Sequence, residues 1–221
     1  MIETLPLPKL SPLGDGALLV RFADTLSEAA NRAAIAFART LGEQRLAGVA
    51  EIDPNLVSVL VRMEEGADAD RLAGDIRLLL AQLDISTAPK GERYTIDVRF
   101  GGADGPDLEA AAEALNLSPA AFIAAHNDKP LRVLTTGFAP GFVYCGFHGE
   151  ALHLPRRSAL RENVPPGSLL FAAGQTALCA TPIRTGWHVI GRTDFRNFNA
   201  EDMPPTRLAA GDSVRFRKAG A

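Results

Sequence analysis

Three stretches in the second half of the chain concentrate side chains that can grip a small polar molecule: "PRR" at 155–157, "RENVPPGS" at 161–168 and "AGQT" at 173–176. Together they offer Arg156, Arg157, Arg161, Gln175 and Thr176. Planar guanidinium forks suit a carboxylate or phosphate, and a side-chain amide and hydroxyl suit an amide-bearing ligand. Just upstream, "GFAPGFVYCGFHGEALHLPRRS" (137–158) packs four glycines, two prolines and four aromatics before reaching the arginine pair. Phe138, Phe142 and Tyr144 would wall a space within such a loop, and Tyr144 adds a phenolic donor. The same arginines would equally suit a surface cluster that solvates loop carbonyls, and residue type does not separate the two readings.

Other chemistries find less support. His148 and His153 come nearest to a metal pair, but without an Asp or third His beside them they read as polar loop histidines, and no metal is expected. Cys145 is close to His148 in the chain, yet a lone thiol among aromatics reads as a small buried hydrophobe, as does Cys179. There is no G-x-x-x-x-G-K-[ST] loop for nucleotide phosphates, no G-x-S-x-G elbow and no Met-Lys-Met carrier lysine. "GGADG" at 101–105 lacks the spacing of a dinucleotide fingerprint. No cofactor is expected to be bound through a recognisable motif.

The elements that would position these residues change character along the chain. "ALLVRF" (17–22) reads as a strand, and "SEAANRAAIAFARTLGEQ" as a helix capped by Ser27 with Ala30, Ala34, Phe37 and Leu41 on one face. "GVAEIDP" and "NLVSVLVRM" read as two strands about the turn "DPN", and "DADRLAGDIRLLLAQL" (68–83) as a second amphipathic helix. With "RYTIDVRF" (93–100) as the next strand, the order β-α-β-β-α-β is that of a split βαβ unit. "STAPKGE" (86–92) reads as a linker, which sets an α/β domain at 1–88 and a second domain at 89–221. The second opens with two short helices in 105–126, broken at "NLSP" where Ser118 caps and Pro119 begins the next turn. Beyond His126 come short strand-like runs between Gly and Pro clusters: "LRVLTTGF", "GSLLFAAG", "ALCATP", "GWHVIGRT" and "DSVRFRK". That spacing predicts a small β-barrel or sandwich.

Composition bounds the rest. The 221 residues, 47% hydrophobic, can build a sizeable core, and a net charge of −3 provides no basic footprint for nucleic acid. Nineteen of the 23 basic residues are arginines. Two cysteines, no secretory h-region in "MIETLPLPKL" and no apolar run of spanning length lead to the expectation of a cytoplasmic protein with no membrane contact.

The motifs "GFAPGFVYCGF", "LPRRSALRENVPPGS", "AAGQTA" and "GWHVIGRT" follow one another as in the allophanate hydrolase subunit 1 family. That family is also known as carboxyltransferase subdomain C/D, the 5-oxoprolinase B subunit and the sporulation-kinase inhibitor. "GDGALLVRF", "GVAEIDPNLVSVLV" and "RLAAGDSVRF" resemble it too, so the likeness runs over almost the whole chain. The resemblance implies an α+β architecture, with a ferredoxin-like N-terminal domain and a cyclophilin-like β-barrel that carries the site. It implies a homologous second barrel subunit as partner, with a third subunit in the 5-oxoproline system. There the complex opens 5-oxo-L-proline to L-glutamate using ATP, so ATP is expected at the level of the complex and the single chain is expected to be inactive. Urea-carboxylase-type carboxyl transfer and inhibition of a sensor histidine kinase are the family's other roles. Within lactam opening, Arg156 and Arg157, with Arg161 nearby, would hold anionic groups. Tyr144, Gln175, Thr176 and the backbone at Gly174 would support the reacting centre, with Phe138 against the substrate. The chain departs from the family's usual residues at Leu160, Pro166, Ala177–Cys179, Arg184–Thr185 and Asn197–Asn199, a cluster around that expected site.

Overall fold

The computed structural model describes residues 6–84 and 91–220. The chain divides into two compact units, Met1–Lys90 and Gly91–Ala221. Most of the stretch read as a linker, and the first residues of "MIETLPLPKL", lie outside the described residues.

The first unit runs β1 (Lys9–Pro12), β2 (Ala17–Arg21), α1 (Glu28–Gln44), β3 (Val49–Pro54), β4 (Ser58–Met63) and α2 (Ala69–Ala81). The Ser27 hydroxyl accepts from the Ala30 amide at 3.2 Å and the Asp68 carboxylate from the Arg71 amide at 3.0 Å, so each helix starts where a side chain satisfies an orphan donor. The helical stripe Ala30, Ala34, Phe37, Leu41 meets Val20, Val59 and Val61 of the sheet and Leu72 and Ile76 of α2 in one core.

The sheet is antiparallel throughout, in the order β1-β2-β4-β3. This corrects the expected strand order. Arg93–Phe100 is not the strand that completes this sheet; β1, Lys9–Pro12, holds that edge instead. "KLSP" is four residues long, without alternation and with a proline, so it gives no strand signal. An edge position tolerates Pro12 because its missing N–H is not needed by a further strand.

The second unit contains β5 (Arg93–Phe100), α3 (Leu108–Ala114), α4 (Pro119–His126), β6 (Leu131–Thr136), β7 (Val143–Gly146), β8 (Arg161–Val164), β9 (Ser168–Ala172), β10 (Gln175–Leu178), β11 (Ile183–Thr185), β12 (His188–Arg192) and β13 (Ser213–Lys218). Seven of these strands close a barrel in the order β10-β7-β6-β13-β5-β12-β9, while β8 and β11 form a separate two-stranded ribbon. β5 and β13 pair in parallel, and the other barrel pairs are antiparallel.

Strand alternation gives this barrel two apolar layers. Ile96, Val98, Val133, Cys145, Leu169, Phe171, Leu178 and Phe216 fill the inside together with Phe122 of α4. Leu170, Ala172, Ala177 and Val189 point the other way and pack with Phe142, Trp187, Ile183 and Val164. Both cysteines are buried and free, so the packing reading of Cys145 and Cys179 agrees with their placement. Burial pushes the Cys145 thiol up to about 12, far from a nucleophile at neutral pH.

Candidate functional site

The "GFAPGFVYCGF" stretch is partly a strand. Gly137, Pro140 and Gly141 make a tight turn, with the Phe142 amide donating to the Ala139 carbonyl at 3.0 Å and the Gly137 amide to the Phe142 carbonyl at 3.1 Å, before β7 begins. Phe138 sits in the turn at φ +79 and is 72% exposed. β7 and β10 then pair with Cys145 opposite Thr176 and Tyr144 opposite Ala177. That register separates the expected site residues: Tyr144 and Gln175 face outward, and Thr176 faces the barrel interior.

On the outer face the aromatic rings form a continuous row. Phe138 and Phe142 centroids lie 5.3 Å apart, Phe142 and Tyr144 4.8 Å, and Tyr144 and Trp187 5.9 Å. The Arg156 guanidinium carbon stands 5.6 Å from the Trp187 ring centroid, within cation–π range. Arg156 is held there from both sides: His188 Nε2 reaches the Pro155 carbonyl at 3.0 Å, and the Arg157 amide donates to the Gly186 carbonyl at 2.7 Å. Partial burial raises the Tyr144 pKa against the opposing pull of the Arg156 charge, so the phenol keeps its proton at neutral pH and remains a donor. Gln175 is 8% exposed, and its buried Nε2 has no hydrogen-bond partner among the described residues. Its Cγ would lie 3.9 Å from a Cβ placed on Gly146, so it follows Tyr144 along the same face.

Arg157 and Arg161 do something different. Both guanidinium groups donate to Asp107 Oδ1, Arg161 at 2.6 Å, while Asp107 Oδ2 accepts from the Val189 amide at 2.8 Å. Burial pushes this carboxyl up, but the Val189 amide and the two arginines outweigh it and hold it below the usual carboxylate range. One carboxylate therefore ties the loop after Pro155 and the start of β8 to the beginning of α3. These two arginines are engaged with Asp107, which leaves Arg156 as the cation of the "PRR" run on the aromatic face.

Thr176 has no exposure and lies between two imidazoles. His126 Nε2 and His148 Nε2 are each 2.8 Å from its Oγ1, and His126 Nδ1 is 2.7 Å from Asn127 Oδ1. One hydroxyl has one proton, so a neutral chain runs His148 Nε2–H to Thr176, Thr176 O–H to His126, and His126 Nδ1–H to Asn127. Burial lowers the His126 pKa to about 4, and burial with the nearby His126 and Lys129 lowers that of His148 to about 3. Phe122, Phe171 and Phe216 surround the His126 ring. His148, read from the sequence as a polar loop residue, is thus an inward-facing one. Gly174, at φ +69, uses its carbonyl to accept from the His148 amide at 3.1 Å, anchoring that loop. Among the described residues no group of three His, Cys, Asp or Glu could hold a metal ion.

Sequence reasoning missed Asp107, His126 and Trp187. Asp107 reads as an ordinary acid at a helix start, and nothing local links it to arginines fifty residues on. Trp187 stands in the quoted "GWHVIGRT", whose bulky residue next to a glycine turn was the available signal.

A two-unit α+β chain with a closed barrel has counterparts among solved structures. The chain TTHA0988 superposes with a TM-score of 0.80 at 31% identity, over 93% of the present chain and 40% of the other, so the present chain spans about two fifths of that longer one. The Kluyveromyces lactis urea amidolyase shares the fold, with a TM-score of 0.77 at 13% identity over 99% of this chain and 15% of its own. Residues 8–208 match the carboxyltransferase domain, subdomain C and D, and the chain belongs to that family. Among curated relatives, the 5-oxoprolinase B subunit of Bacillus subtilis (strain 168) is 32% identical over 94% of this chain and 91% of its own. The 5-oxoprolinase B subunit of Haemophilus influenzae (strain ATCC 51907 / DSM 11121 / KW20 / Rd) is 31% identical over 93% and 95%.

Proposed function

We propose that the chain is the B-type subunit of a 5-oxoprolinase complex, an ATP-dependent hydrolase that opens a cyclic amide, and that it is inactive without its partner subunits. The observation that carries this reading is the end-to-end likeness to the two 5-oxoprolinase relatives, which leaves almost none of either chain unmatched. In this reading the first unit is the ferredoxin-like domain, with its edge strand taken from the chain's start, and the barrel is the cyclophilin-like domain. A homologous barrel subunit and a third subunit are the partners, ATP is used at the level of the complex, and the cytoplasm is the setting. No helix among the described residues is long and apolar enough to cross a membrane.

A lactam resists water because its nitrogen lone pair is delocalised into the carbonyl. Transfer of a phosphoryl group from ATP to the lactam oxygen gives an imidoyl phosphate and ADP. Water then adds at the activated carbon, collapse of the tetrahedral adduct breaks the C–N bond and frees the protonated amine, and a second water hydrolyses the resulting acyl phosphate to carboxylate and phosphate. The outer face of the barrel supplies what such a centre needs from this chain. Arg156, fixed over Trp187, meets a carboxylate or phosphate oxygen, and the protonated Tyr144 donates to developing negative charge. Thr176 acts from within the barrel by holding β10 in place.

The test is reconstitution with the neighbouring subunits and measurement of ATP-dependent glutamate formation from 5-oxoproline. Turnover by the complex and none by the single chain is expected. Biotin-dependent consumption of urea by the complex, or a stable complex with a kinase dimerisation domain and no turnover, would replace this reading with one of the family's other roles.

A further inference from the structure

A groove of about 460 Å³ opens on the second unit, lined by residues that include Gly167, Arg192, Thr193, Asp194, Arg196 and Phe198. We propose that it is a second binding site, for a small anion bearing a carboxylate or phosphate group whose apolar part rests on Phe198. Nothing in the proposed amide chemistry calls on these residues.

The walls are built rather than accidental. Asn197 is buried and uses both ends of its amide: Nδ2 donates to the Gly141 carbonyl at 2.9 Å and Oδ1 accepts from the Leu208 amide at 2.8 Å. Gly141 comes so close that a Cβ there would lie 2.7 Å from Ala180 Cβ and overlap Phe198. Gly167 turns at φ +81, accepts from the Thr193 amide at 2.9 Å, and leaves no room for a Cβ against the Thr193 carbonyl. The Thr193 hydroxyl in turn accepts from the Phe195 amide at 3.1 Å. Three separated motifs, "PGF", "PPG" and "GRTDFRNF", therefore meet at one rigid depression.

Its charges are arranged for an oxyanion. Arg192 Nε donates to the Pro166 carbonyl at 3.2 Å, which fixes the side chain along the wall and leaves the outer guanidinium nitrogens available. Arg196 lines the groove with no hydrogen bond or ion pair to any described residue. The one carboxylate among the lining residues, Asp194, is occupied at both oxygens by Arg99, at 2.7 and 3.1 Å, and does not bind either lining arginine directly. Two guanidinium groups beside an aromatic surface in a pre-formed concavity fit a small anion with an apolar body.

The experiment uses the full single chain, without partner subunits, so its outcome is independent of the amide hydrolase reading. Inorganic phosphate and L-glutamate are titrated separately while the amide and arginine side-chain NMR signals are followed, then repeated with Arg196→Gln. Saturable shifts at Gly167, Thr193, Arg196 and Phe198 are expected with at least one probe, weakening as salt rises. Arg196→Gln is expected to raise Kd at least about tenfold, the weight of one hydrogen bond to a charged group. Shifts with phosphate alone assign a phosphate-bearing ligand, with glutamate alone a carboxylate-bearing one, and with both a general anion site. No saturable shift by about 10 mM, beyond ordinary substrate affinities, or equal binding by Arg196→Gln in a protein with an unchanged spectrum elsewhere, overturns the proposal.

Discussion

The inner and outer faces of β7 and β10 are made of alternate residues of the same strands, yet they are opposite environments. Inside, Thr176 and two histidines close a neutral hydrogen-bond chain within an apolar shell. Outside, Tyr144 lies between Phe142 and Trp187 on the face where Arg156 is held over the indole. One step along a strand is enough to move a side chain from the barrel interior to the aromatic face. Two polar residues adjacent in sequence, Gln175 and Thr176, accordingly have different surroundings.

The sharpest way to break this comparison is to empty the inner chain. Thr176→Val keeps the side-chain shape but leaves two buried imidazole nitrogens without a partner, a loss of about 3 kcal/mol of stability. Denaturant unfolding checks it, and an unchanged midpoint would show that the interior chain holds nothing. On the outer face, Arg156→Ala is expected to lower activity of the reconstituted complex by about 100-fold, with a melting temperature close to that of the parent. Equal losses of stability in both variants would erase the distinction between the faces.

Acid separates them next. Folded, His126 and His148 titrate at about 4 and about 3, whereas unfolded they take up protons near 6.5. The unfolded state thus binds more protons below about pH 6.5, so stability is fully present above that pH and falls towards pH 4. The slope approaches about 1.4 kcal/mol per pH unit for each ring. Unfolding measured between pH 6.5 and 5 should show it, and His148→Gln should roughly halve it. The smallest effect is expected at the ribbon. Arg184 and Glu162 pair at 3.3 Å with both side chains largely exposed, so Arg184→Ala should change stability by under about 0.5 kcal/mol.

Legibility from sequence tracked how local each cause was. The caps at Ser27 and Ser118 and the stripe Ala30, Ala34, Phe37, Leu41 arise from neighbours a few residues apart, and periodicity exposes them. β7 hid inside a Gly/Pro-rich stretch because "VYCG" is too short to show alternation, and β1 hid behind Pro12. The sheet to which Arg93–Phe100 belongs is decided by pairing with Ser213–Lys218, more than a hundred residues away. Within the candidate site, residue type singled out arginines, but only the fold shows that Arg157 and Arg161 converge on Asp107 while Arg156 lies over Trp187. The departures at Arg184 and Thr185 also acquire a local meaning. Arg184 pairs with Glu162 across the ribbon, and the Thr185 hydroxyl accepts from the Trp187 amide at 3.1 Å, shaping the turn that presents the ring.

The parallel pairing of β5 with β13 has a mechanical consequence. The chain enters β5 at Arg93 and leaves β13 at Lys218, at opposite ends of a ladder that runs from Arg93↔Ser213 to Val98↔Lys218. Tension applied to the two ends of this unit therefore loads those hydrogen bonds together in shear, instead of peeling them one at a time as in a hairpin pulled from its open end. Single-molecule extension through positions 91 and 218 should give one abrupt rupture, and attachment points on β9 and β10 a gradual yielding at lower force. Modules tethered at both ends of this unit would load its longest ladder.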